Sequence, residues 1–65
     1  MHLDLAIEKL RRRYKLDRCR IEKRITMTEI AQEAGVTLSS VSMFLKARLD
    51  SDRIEEALKK LGVTN

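Results

Sequence analysis

The sequence predicts an all-α protein, a small helix-turn-helix bundle of four to five helices, and three observations lead there. Apolar residues recur at spacings of three and four along most of the 65 residues. No stretch alternates apolar and polar residues between turn signals of its own, as a half-buried strand would. The chain has no proline and only two glycines, Gly35 and Gly62, each just past an apolar periodic segment, where a helix stops. A chain of this length forms one small domain, which buries only about 60% of the surface its unfolded state exposes. A second copy would therefore help to stabilise it, and an oligomer is expected.

Leu3, Ala6, Ile7, Leu10 and Tyr14 form the first stripe, at helical spacing, while Glu8, Lys9, Arg11 and Arg12 point elsewhere. The stripe is interrupted at Asp17 and Arg18 and resumes at Ile21 and Ile25, a pattern that fits one long helix or two short ones. The stripe either packs on the rest of the chain or serves self-association, and the second use is favoured because residues 26–63 already hold nearly a complete three-helix core. Thr26 and Glu29 have the spacing of a capping box and open the next helix, which buries Ile30, Ala31 and Ala34 and ends at Gly35. Thr37 is the expected N-cap of a helix whose apolar positions are Val41, Phe44 and Leu45, with Leu38, Ser39, Ser42 and Met43 on other faces. After a polar connection from Lys46 to Asp50, Ser51 or Asp52 opens a last helix that buries Ile54, Ala57, Leu58 and Leu61. Asp52, Glu55 and Glu56 in its first turn and Lys59 and Lys60 in its last suit the helix dipole at both ends.

Composition excludes several classes. At 43% apolar and 37% charged, with no apolar run longer than three residues, the chain is neither a disordered polar tract nor a membrane span. A single thiol, Cys19, allows no internal disulfide framework and no four-cysteine metal site, and with no secretory pattern at the start it points to a cytoplasmic location. His2 is the only histidine and Glu55 and Glu56 diverge on a helix, so no catalytic constellation, metal site or cofactor is expected. The net charge of +4 is unevenly placed: residues 11–24 carry eight Lys and Arg against Asp17 and Glu22. Such a stretch concentrates a polyanion such as nucleic acid around it, although a solvated helix face has the same composition.

Ala31, Gly35, Val41 and Phe44 make the most informative pattern. A helix-turn-helix needs a small residue where its two helices cross closely, a glycine at the turn four residues later, and two apolar residues on the second helix to lock the crossing. The run Ile25-Thr-Met-Thr-Glu-Ile-Ala-Gln-Glu-Ala-Gly-Val-Thr-Leu-Ser-Ser-Val-Ser-Met-Phe-Leu45 resembles, without a gap, the DNA-binding headpiece of the lac-repressor family and, more loosely, Cro and phage-repressor regulators. Ile54 to Val63 is similar to the helix that closes the three-helix core of that headpiece, so the resemblance covers residues 25–63. Residues 1–24 have no counterpart in it and are expected to be a basic helical extension to a core of residues 25–65. The connection after Leu45 is shorter than the family's and no sugar-binding domain follows, so no small-molecule effector is expected.

The resemblance implies a double-stranded DNA partner, with the second helix of the motif in the major groove. The family's base-reading positions fall on Leu38, Ser39 and Met43, and its phosphate-contacting positions on Thr26, Thr28, Thr37, Ser40 and Ser42. Capping alone also accounts for Thr26 and Thr37, and core or a protein contact is the alternative for Leu38 and Met43. Arg24, Lys46 and Arg48 flank the motif as expected phosphate partners, and Arg11, Arg12 and Arg13 would add backbone contacts. Together these features lead to the expectation of a small homodimeric repressor on an inverted-repeat operator, not an enzyme. An antitoxin-like autoregulator, a recombination accessory factor, and a basic helical adaptor for an acidic protein are the alternatives.

Overall fold

Four helices follow one another in the computed structural model: α1 (His2–Glu22), α2 (Met27–Ala34), α3 (Leu38–Leu45) and α4 (Asp52–Lys60). The structure describes residues 2–64, and side chains from Leu5 to Thr64, so the Leu3 position of the first stripe lies outside the described side chains. No strand occurs among the described residues, and no helix there is long and apolar enough to cross a membrane. The polar interruption at Asp17 and Arg18 does not break α1, which is one helix of 21 residues. At about 1.5 Å per residue it runs most of the 35 Å length of the molecule.

The short helices begin and end where local chemistry directs. Thr26 and Glu29 close a full capping box, the Thr26 hydroxyl accepting from Glu29 N at 3.1 Å and the Glu29 carboxylate from Thr26 N at 3.0 Å. Gly35 ends α2 at φ 70, a left-handed conformation that costs glycine nothing. Thr37 caps α3 and Ser51 caps α4, each hydroxyl accepting a backbone N–H three residues on. Beyond α4, Val63 N reaches back to Leu58 O at 2.8 Å, with Gly62 at φ 79 making the reversal possible.

α2 packs on both α3 and α4, and α1 lies along α3. Ile30, Val41, Phe44 and Ile54 are fully enclosed at the centre, with Ala31, Leu45, Ala57, Leu58 and Val63 buried around them. Ala34 and Leu61, expected in the core, sit half-buried at its rim.

α1 docks through a different face from the one its apolar stripe suggests. Ala6, Ile7, Leu10, Tyr14 and Ile21 are all exposed. Leu16 and Cys19 meet the core instead, and between them and α3 lies the one buried charged residue among the described side chains, Arg13. Its guanidinium donates to Phe44 O at 2.6 Å and to Leu49 O at 3.0 Å, and bonds the Asp50 carboxylate at 2.8 Å. The guanidinium carbon also lies 3.7 Å from the centre of the Phe44 ring. One side chain thus fastens α1 to the last turn of α3 and to the loop beyond it.

Lys9 adds a second bond to Asp50 at 2.9 Å. The Lys9 and Arg13 hydrogen bonds hold the Asp50 carboxyl below the usual carboxylate range. At the other end of α1, Arg20 bonds Asp17 at 2.6 Å and donates to Ile25 O at 3.0 Å, which braces the turn into α2.

Candidate nucleic-acid interface

α3 has two unlike sides. Val41, Phe44 and Leu45 are buried, whereas Leu38, Ser39 and Met43 are exposed and Ser42 is half-buried. Leu38 keeps 50% and Met43 43% of their accessible surface, so neither is core. Ser39 and Met43, four positions apart, share the outward side of the helix, with Lys46 beyond them as the C-cap, while Leu38 is exposed at the first helical position, about 140° around the axis from Met43.

The N-terminal ends of the short helices differ in charge. Glu29 occupies the first turn of α2, and Asp52 and Glu55 that of α4, while α3 has no acidic residue in its first turn. Its partial positive end is left uncompensated by the chain itself, a situation that favours a nearby anion.

An open depression beside this end brings together residues from three elements. Arg20, Ile21 and Arg24 from α1 and the turn after it, Thr26 and Thr28 from the start of α2, and Leu38 from α3 all line it, along with Ile25 and Met27. Arg24 and Thr28 are exposed there. Arg24 holds φ 60, a left-handed conformation that disfavours side chains other than glycine. The Thr26 hydroxyl is occupied by the capping box, and Glu29 already supplies an anion at that helix end. Arg24 and Thr28 are consequently the residues of this corner with groups to offer a phosphate. Arg20, Ile21, Ile25 and Met27 were not singled out as site residues by sequence reasoning. Only the proximity created by the α1–α2 turn assigns them here.

The remaining predicted positions divide. The Thr37 and Ser40 hydroxyls bond each other at 2.9 Å, and Ser40 is half-buried, so this pair fixes the start of α3. Lys46 and Arg48 are exposed at its other end. Arg11 and Arg12 are exposed on α1, but neither lines the depression with Leu38; Arg12 instead borders a cleft with Glu55, Leu58 and Val63. Arg13 must be withdrawn from the phosphate-contacting set. Its guanidinium is enclosed and committed to two carbonyls and Asp50, because the end of α3 presents acceptors that a solvated helix face would not.

The chain matches no known family model, no characterised protein and no solved structure.

Proposed function

We propose that this protein is a sequence-specific binder of double-stranded DNA, a small dimeric repressor that places α3 in the major groove of an inverted-repeat operator. The observation that carries this reading is the outward side of α3, which is free of carboxylates and lies beside a depression holding Arg24 and Thr28. A major groove admits one α-helix between two rows of phosphates, and a helix flanked by cationic and hydroxyl groups suits that space. The protein acts in this reading by occupying DNA and not by catalysis, in a cytoplasmic setting.

The exposed Ile7, Leu10, Tyr14 and Ile21 side chains support a second copy as partner, since they fall on one side of α1 at heptad-like spacing and are left in water by the described residues. A two-fold dimer would set its recognition helices about 34 Å apart, one turn of the double helix. The same stripe favours one other reading. Arg11 and Arg18 flank it, so an acidic amphipathic helix would also fit, as on an adaptor.

Fluorescence anisotropy with a labelled random-sequence duplex, across about 50 to 200 mM salt, separates the two. The regulator binds, and its log affinity falls linearly with log salt. Replacing Arg11 and Arg12 with Gln, leaving Arg13 in place, lowers the magnitude of the slope by about 0.9 for each phosphate contact removed. No rise in anisotropy at the lowest salt refutes DNA binding and leaves the adaptor. Binding with an unchanged slope removes Arg11 and Arg12 from the interface.

A further inference from the structure

The outward side of α3 is defined by what it cannot do. Leu38, Ser39 and Met43 are exposed on it or at its edge and Ser42 is half-buried, with Lys46 at its end, and none of these is Arg, Asn, Gln, Asp or Glu. Together with lysine, those residue types make the hydrogen bonds by which side chains usually distinguish base edges, and the lysine here, Lys46, lies at the C-terminal end of α3, away from the N-terminal residues that face the bases. Two hydroxyls remain, and each pairs with several bases. What the face does offer is two large apolar side chains, each with close to half its surface in water. In the major groove a single feature of the base pairs is apolar, the 5-methyl group of thymine.

We infer that α3 selects its sites by apolar contact with thymine methyl groups, Leu38 covering one and Met43 another. The inference rests on the DNA-binding reading above and assigns that surface its chemistry. The two side chains are five positions apart, about 7.5 Å along the helix axis and about 140° around it, so they reach different base pairs. Each half of the site therefore contains two separate A·T pairs, one for each side chain. Met43 is unbranched and adapts to where a methyl lies, while Leu38, at the first helical position beside the Thr37 cap, has the more fixed origin. Ser39, on the same side as Met43 one turn earlier, bonds whichever base edge lies nearest and adds little discrimination.

Uracil differs from thymine only in lacking this methyl, so it isolates the contact from base pairing and from every groove hydrogen bond. Duplexes are selected from a random pool with the full-length protein, and the recovered sequence is remade with deoxyuridine at individual thymidines. Replacing a contacted thymine weakens binding about fourfold, the equivalent of about 0.8 kcal/mol for one buried carbon, and replacing both in a half-site about fifteenfold. L38A abolishes the thymine-over-uracil preference at one position and M43A at the other, while melting curves show both variants folded. Equal affinity for the thymine and uracil duplexes overturns the inference but leaves DNA binding intact. A preference that survives in both variants overturns it too, since the methyl then acts through the stiffness of the DNA. Failure to retain any duplex at low salt removes this inference together with the function it rests on.

Discussion

α1 and α3 lie against each other and reverse the usual arrangement in opposite ways. α3 turns Val41, Phe44 and Leu45 inward, as its periodicity requires, yet leaves Leu38 and Met43 in water. α1 turns an arginine inward and leaves Ile7, Leu10, Tyr14 and Ile21 outside. The difference lies in what each helix is docked against. α3 meets the apolar sides of its neighbours, so area burial orients it. Besides the apolar contacts of Leu16 and Cys19, α1 meets the Phe44 carbonyl in the last turn of α3 and the Leu49 carbonyl in the loop beyond, where a multi-pronged donor gains more than a methyl group. Hydrogen-bond geometry thus sets the rotation of α1, and the apolar stripe is left for other use.

The contrast is broken most severely at Arg13. Arg13→Met keeps the stem but leaves Leu49 O without the donor seen here, while Phe44 O retains Ala47 N. We expect a loss of about 2–3 kcal/mol in urea unfolding, against less than about 0.5 kcal/mol for Leu38→Ala or Met43→Ala on the exposed side of α3. A similar small cost for all three would mean that α1 is held by Leu16 and Cys19 instead.

Arg24→Gly sharpens the comparison from the other side. It relieves the left-handed backbone at φ 60 and is expected to add about 1 kcal/mol of stability. The same change weakens duplex binding by removing a cation from the depression, and a variant that gains stability with unaltered affinity would take Arg24 out of the interface. Replacing Leu10 and Tyr14 together with Ser leaves the folding free energy of the monomer within about 0.5 kcal/mol but abolishes self-association in sedimentation equilibrium. Dimers that persist in that variant would place the contact elsewhere.

The smallest effect is in acid. The folded Asp50 carboxyl titrates below its ordinary value of 3.8, so its contribution to stability is complete above that value and disappears as the pH falls through the lower folded value. Melting temperatures followed from neutral pH down to pH about 2 should fall less steeply for Asp50→Asn than for the parent in the acid range. Identical profiles would contradict a role for the Lys9 and Arg13 bonds.

The parts of this molecule written in local chemistry were legible. Thr26, Thr37 and Ser51 cap helices, and Gly35 ends α2, because each acts on backbone within a few residues. The buried faces of α3 and α4 followed from periodicity for a related reason, since one helix turn fixes which residues share a side. The orientation of α1 was not legible. Arg13 looks like one member of a basic run until Phe44 and Leu49, 31 and 36 residues away, bring their carbonyls to it. The depression around Arg24 has the same origin: its lining spans Arg20 to Leu38, and the turn that gathers it depends on Arg20 reaching Ile25 O.

DNA binding as proposed requires that the outward side of α3 face a duplex. An amide chemical-shift map of the isotope-labelled protein, titrated with the selected duplex, addresses it residue by residue. The largest changes are expected from Leu38 to Met43 and around Arg24 and Thr28, with Glu33, Glu56 and the rest of the α2–α4 surface little affected. Changes centred on α4, or none along α3 at saturating DNA, would contradict it.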